Sequence, residues 1–171
     1  MVFTRQTADA SGDVYLLSLT GAASPRALFS SGAYEGGGVL SPDERWVAYV
    51  SNETGQYEVY VRSFPHARRR FKVSVEGGSQ PMWSRDGREL FYRDRSRMLS
   101  APVTQTLDQP LGAPTVLFDQ DLSAGTGTTF AHFDVMPDGR FVMMKRGPES
   151  GRLNVILNWT TELNRLTRRN E

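Results

Sequence analysis

The chain has 171 residues, 39% of them hydrophobic and 23% charged, with a net charge of +1. That balance belongs to a folded domain with a sizeable core; it excludes a disordered chain and any global field that would draw in nucleic acid or an acidic membrane. The absence of cysteine excludes disulfides, thiolate metal sites and a cysteine nucleophile, and no apolar run approaches the roughly 20 residues of a transmembrane helix.

The predicted elements are short strands. The opening residues, Met1-Val2-Phe3-Thr4-Arg5-Gln6, lack the basic start and apolar stretch of a signal peptide, so any export signal is expected upstream. Asp13–Leu19 and Arg26–Phe29 read as strands because β-branched, aromatic and aliphatic residues cluster between turn-forming ones. A Pro-Asp turn at Pro42-Asp43 precedes Trp46-Val47-Ala48-Tyr49, and strands are expected again at Glu58–Phe64 and Arg70–Val75. The same order recurs at Asp86-Gly87 with Leu90-Phe91-Tyr92, Met98–Val103 and Thr115–Phe118, and once more at Asp138-Gly139 with Phe141-Val142-Met143 and Asn154–Trp159. Trp159, Leu163 and Leu166 then fall at helical spacing, which predicts a short helix over 160–169.

The recurrence is an internal repeat. Its aspartates stand at 43, 86 and 138, so the steps are 86 − 43 = 43 and 138 − 86 = 52 residues. A four-stranded propeller blade takes roughly 40–50 residues. Each copy opens on a tight turn in which Asp bonds back to the backbone and Gly takes a left-handed position. Glu44 stands where Gly is expected, and a left-handed Glu costs on the order of 1 kcal/mol, so that turn is expected to relax into another type. The strands are apolar on both faces, with Trp46, Ala48 and Val50 on one side and Val47 and Tyr49 on the other. The expected fold is therefore all-β, a partial β-propeller of about three and a half four-stranded antiparallel blades with a short C-terminal helix. Its divisions within a single 1–171 domain are 1–31 (incomplete blade), 39–75, 79–119, 130–159 (lacking the outer strand) and 160–169 (helix). An open arc leaves an apolar face at each end, so the isolated chain is expected to pair with itself, to aggregate or to need upstream blades.

The strings SPDERWVAYVSNETGQYEVYVRSFP, SQPMWSRDGRELFYR and NVILNWTTELNRL resemble the TolB-like, WD40-like repeats called PD40, especially the C-terminal propellers of bacterial serine/threonine protein kinases. The resemblance covers residues 1–166 or so. It implies a non-catalytic interaction or sensor propeller, a fragment of a larger envelope or kinase-linked bacterial protein, placed outside the cytoplasmic membrane. The gating domain of a prolyl-oligopeptidase-like hydrolase and a small-molecule or glycan-binding propeller are the alternatives. The kinase signatures themselves, a Gly-rich phosphate loop, His-Arg-Asp and Asp-Phe-Gly, do not occur.

No catalytic constellation, cofactor site or metal site is expected. There is no Gly-x-Ser-x-Gly elbow, and His66 and His132 are the only histidines, neither with a second ligand at metal spacing. His132, in a predicted inner strand, is expected at a central channel or in the core. Asp43, Asp86 and Asp138 lie a repeat apart and read as turn residues. Arg68-Arg69-Arg70 with Lys72 reads as a solvated hairpin tip. The glycine-rich connectors at 36–38, 76–80 and 123–129 are not phosphate loops, because no helix follows them. In a propeller they would crowd one rim of the channel, which makes Glu35, Glu76, Gln80, Asp121 and His132 the candidate contacts for a protein partner.

Overall fold

The computed structural model describes residues 1–6, 11–20, 24–104, 106–119, 130–136 and 139–143. Among the described residues, thirteen strands form four antiparallel sheets. The first sheet holds β1 (Val2–Gln6), β2 (Gly12–Leu16) and β3 (Arg26–Phe29) in chain order. The second holds β4 (Glu35–Leu40), β5 (Trp46–Ser51), β6 (Glu58–Ser63) and β7 (Arg70–Lys72), again in chain order. In the third, β8 (Ser79–Trp83), β9 (Glu89–Asp94), β10 (Arg97–Pro102) and β11 (Thr115–Asp119) repeat that order. The fourth pairs β12 (Phe133–Val135) with β13 (Phe141–Met143).

The repeated turns are built from one hydrogen-bond network. Ser41 Oγ donates to Asp43 Oδ1 at 2.6 Å, and the same carboxylate accepts from Arg45 N at 3.2 Å. Trp46 N closes the loop onto Ser41 Oγ at 3.0 Å. One repeat later Ser84, Asp86, Arg88 and Glu89 make the same bonds at 2.7, 3.1 and 2.9 Å. The Ser84 hydroxyl and Arg88 N–H hold the Asp86 carboxyl below its ordinary range. Glu44 keeps the left-handed conformation, with φ 56°, that Gly87 adopts at 69°. The expected relaxation of that turn is therefore corrected: the Ser-x-Asp bonds hold the shape, and the residue bears the strain. The third turn closes one residue sooner, from Met136 N to Arg140 O at 2.8 Å.

A second repeated device is a bulge near the start of each four-stranded sheet. The register slips between Gly36 and Val39 in β4 and between Ser79 and Met82 in β8. The extra residue in each is left-handed, Gly37 at φ 64° and Gln80 at φ 57°. Beside the first bulge, a Cβ on Gly38 would stand 2.9 Å from Val14 and 3.0 Å from Val2, so glycine lets the first two sheets approach closely.

Three apolar layers hold the sheets together. Val14 and Phe29 of the first sheet meet Val47, Tyr49 and Tyr60 of the second. Trp46, Ala48, Val50, Val59 and Val61 on the second sheet's other face meet Leu90, Tyr92, Leu99 and Ala101 of the third. Phe91 and Met98 then meet Phe133 and Val135 of the fourth. Trp83 Nε1 ties β8 to β4 through the Val39 carbonyl at 3.1 Å.

This architecture corrects the propeller reading. The sheets are open, in a 3-4-4-2 series, and none is closed or strongly curled. Among the described residues, the fourth sheet makes no substantial contact with the first. The physical reason lies in what two-sided apolar strands require, which is a neighbour on each side. An open stack supplies that as well as a ring does, so the strand pattern does not specify closure. No helix occurs among the described residues, and the helix expected at 160–169 and the strand at Asn154–Trp159 lie outside them.

Candidate partner-contact site

The four described rim residues do not form one surface. Glu35, at the start of β4, is fully buried, and Gln80 in β8 is 3% exposed. Gln80 Oε1 accepts from the backbone N of His132 at 3.2 Å, which joins the second bulge to the chain just before β12. His132 is half-buried there. Glu76, in the connector from β7 to β8, is exposed. Asp121 lies outside the described residues. The structure thus joins Gln80 to His132, leaves Glu76 at the surface and places Glu35 inside.

Around Glu76 the surface carries a compact charged group. Arg97 opens β10 and sits across the two-residue loop from Asp94, its register partner. Its guanidinium donates to the buried Asp94 carboxylate and, at 3.2 Å, to Glu76 Oε2. Asp94 first, then Glu76, hold the Arg97 pKa above its ordinary value. A shallow cleft of about 210 Å³ runs past Glu76 and Asp94, lined also by Gln56, Tyr57, Arg93, Arg95 and Gly77-Gly78, with Arg97 bonded to its Glu76 and Asp94. Tyr57 is 41% exposed and meets Tyr34 edge-on, ring centres 5.9 Å apart. Tyr92 lies beneath, its hydroxyl pKa pushed up to about 12 by burial and then by the charges of Asp94 and Glu58.

Glu58 anchors the floor. Its side chain is fully buried, yet Gln56 and Lys72 donate to Oε1 at 2.7 Å each, Ser74 Oγ donates to Oε2, and Gly77 N donates to Oε2 at 3.1 Å. Burial pushes the Glu58 carboxyl upward, but the Lys72, Ser74 and Gln56 bonds together hold it below its ordinary value. Ser74 also accepts from Val59 N at 2.8 Å, so the connector that carries Glu76 is fixed at its base.

The sequence points to Glu76 through its glycine-rich connector but misses Tyr57, Asp94 and Arg97. The available signal was Arg93-Asp94-Arg95-Ser96-Arg97, a charged run across a strand-to-strand step. In the basic run, Arg68 and Arg69 are exposed, as expected of a hairpin tip, and Arg69 pairs with exposed Asp108 at 2.9 Å, while Arg70 is drawn in, binding Glu53 and lying 3.9 Å over the Tyr60 ring. Among the described residues, no group of three or more His, Cys, Asp or Glu could hold a metal ion. This arrangement can recognise a charged or aromatic surface; it presents no nucleophile paired with a base.

No family model matches the sequence, and no curated protein matches it. Solved structures do. A protein described as TolB from Agrobacterium tumefaciens superposes with a TM-score of 0.55 at 18% identity, over 71% of this chain and 47% of its own. TolB from Acinetobacter baumannii gives 0.57 at 17% identity, over 81% of this chain and 33% of its own. The chain therefore spans about half and about a third of these structures. At such identities the likeness is one of fold. It is distant and partial, and it supports no specific link to kinase-associated domains.

Proposed function

We propose that the chain is a non-catalytic protein-interaction or sensor module, part of a larger TolB-like protein that works outside the cytoplasmic membrane. The observation that carries this reading is the rim cleft. Its floor is held rigid by the fully bonded Glu58, and its walls offer exposed Glu76 and Tyr57 beside the Arg97–Asp94 pair. Tyr and Arg are among the residue types enriched at protein-recognition surfaces, and Tyr57 and Arg97 supply them here. The fold likeness to TolB and the sequence resemblance to envelope repeats support the same class and the same side of the membrane.

The test is a photoreactive side chain placed at Tyr57, with one at exposed Leu107 as control. The expected result in the native host is a discrete adduct from position 57 alone, abolished by Glu76→Arg and by Arg97→Glu in the same protein. Equal labelling from both positions, or an adduct indifferent to both charge changes, sinks the proposal.

A further inference from the structure

The outer strands of neighbouring sheets meet differently in the first two layers. Between the first and second sheets, Leu28 and Phe29 of β3 join Phe64 and Ala67 of the β6–β7 connector, so apolar side chains from both sheets fill the outer end. Between the second and third, β8 packs against β4, β5 and β6, but the outer end opens into an apolar groove of about 330 Å³. One wall is β7 and its continuation, with Phe71, Val73 and Val75; the other is the β10–β11 connector, with Pro110, Leu111, Ala113 and Pro114. Val73 and Leu111 belong to the buried layer, whereas Val75 is 72% exposed and Ala113 is exposed. The connector wall is preformed: Val103 pairs with Leu111, Thr104 N donates to the Pro110 carbonyl at 2.9 Å, and Gly112 N donates to the Pro102 carbonyl at 2.8 Å.

The β7 wall also offers backbone groups. Ser63 N donates to the Arg69 carbonyl at 3.0 Å and Val73 N to the Val59 carbonyl at 2.9 Å. Bonded residues alternate in an antiparallel ladder, so Arg69, Phe71 and Val73 turn their backbone toward β6, while Arg70 and Lys72 turn theirs outward. β7 is the last strand of its sheet, and among the described residues no strand takes those outward groups. The sheets stack through their faces, so further sheets in the series would leave this edge and its groove unchanged. Cationic side chains on an edge ordinarily oppose pairing. Here Arg70 is bound to Glu53 and Lys72 to Glu58. The uncompensated charge is that of Arg68, exposed and without an ion pair among the described residues. Its neighbour Arg69 reaches Asp108 at 2.9 Å, across one end of the groove.

We propose that this groove is a second interaction site, which takes an extended segment of a partner protein by strand addition to β7. The partner's backbone bonds the outward groups of Arg70 and Lys72. A large apolar side chain enters between Val75 and Ala113, in the place that Phe29 fills in the first layer, and a carboxylate further along meets Arg68. The page of contacts fixes this chemistry through an apolar lining, an edge with unused N–H and C=O groups, and a positive charge at the groove's end. Strand addition takes its affinity from main-chain bonds and its specificity from side-chain pockets of this kind. The groove shares no lining residue with the rim cleft, so the inference does not rest on the function proposed for that cleft.

A set of labelled heptapeptides tests it, each with glutamate at both ends and threonine alternating with Val, Ile, Leu, Phe, Tyr or Trp between them. Such peptides present the required chemistry in either strand direction. Fluorescence anisotropy with the intact chain is expected to find members that bind with Kd below about 1 mM. Val75→Glu and Ala113→Glu, both at exposed positions, are expected to weaken binding about ten-fold or more. Arg68→Glu is expected to weaken it about three-fold or more and to reduce its dependence on salt. Leu19→Glu, at a position 76% exposed and away from the groove, leaves the affinity unchanged. The deciding measurement is amide hydrogen exchange, which the bound peptide slows at Arg70 and Lys72; the same peptide fully N-methylated does not bind. The proposal is overturned if no member binds, or if binding ignores both Val75→Glu and Ala113→Glu. Binding that leaves the Arg70 and Lys72 amides exchanging at their free rates overturns it too.

Discussion

Glu35 and Glu58 flank the same residue, Ser51, from opposite sides of β5, and both are fully buried. Their surroundings differ completely. Glu58 receives bonds from Gln56, Lys72, Ser74 and Gly77. Among the described residues, neither oxygen of Glu35 accepts a well-formed hydrogen bond, although the Ser31 hydroxyl interacts with its carboxyl. Burial pushes the Glu35 carboxyl up, and Arg62, Ser31 and Arg70 oppose that without overcoming it. Burial alone therefore does not decide the charge of a carboxylate in this fold; the donors around it do. Both glutamates pair with Ser51, which places them on the Tyr49–Tyr60 face of the second sheet. The Glu35 end lies in the layer between the first and second, where Arg62 bonds Tyr49 Oη at 3.0 Å and lies 4.7 Å over the Phe29 ring.

The largest expected effect tests how far the layer between the second and third sheets depends on packing. Leu90 is fully buried between the second and third sheets. Leu90→Ala is expected to lower unfolding stability by about 2–5 kcal/mol, read from the urea midpoint at constant slope. A change under about 1 kcal/mol would mean that the layer collapses around the loss or that the sheets are not mutually stabilising.

Next comes Glu58. Glu58→Ala leaves Ser74, Gly77 N and the Lys72 ammonium without their shared acceptor, and is expected to cost about 3 kcal/mol at neutral pH. The pH dependence has a definite sign. The folded-state pKa is depressed, so this carboxylate stabilises the fold above its unfolded value of about 4.5, and that contribution is lost as pH falls through the folded value. Urea titrations on the acid side are expected to show the native chain losing more stability than Glu58→Ala loses.

Glu35 has the opposite sign. Its folded-state pKa is raised, so the fold favours the protonated form, and stability falls as pH climbs from about 4.5 through the folded value. Glu35→Gln keeps the shape, removes the ionisation and is expected to flatten that decline, leaving the variant the more stable of the two above it. A native chain with the same pH profile as Glu35→Gln in this window would show that Glu35 acquires a partner in solution, and the contrast with Glu58 would be lost.

These two glutamates also mark what the sequence makes legible. Strand positions are legible because each strand is short, apolar and bounded by turn residues: Arg26–Phe29 is predicted and found without change. The Ser-x-Asp turns are legible because their bonds are local, within five residues. The rim was read from loop composition, and it divides on inspection because composition does not report depth. Glu35 and Glu76 both adjoin glycine-rich segments, yet one opens a buried strand and the other tips an exposed connector. Closure was illegible for a similar reason, since faces apolar on both sides report neighbours and not how the series ends.

The smallest effect compares the two complete turns, which share their bonds and differ at Pro42 against Arg85, Glu44 against Gly87 and Trp46 against Glu89. Glu44 and Gly87 occupy the same left-handed position, at φ 56° and 69°. A Cβ added at Gly87 would meet only Pro42, at 3.7 Å, an ordinary contact. Any difference between the turns is thus conformational rather than steric. Glu44→Gly removes the left-handed penalty but frees the unfolded chain, and these effects partly cancel. The net expectation is a gain of a few tenths to about 1 kcal/mol, or about 1–4 °C in Tm for a chain of this size. Gly87→Ala is expected to move stability down by a comparable amount. If both substitutions lower stability equally, Glu44 makes a compensating interaction in solution and the strain assigned to the first turn is absent.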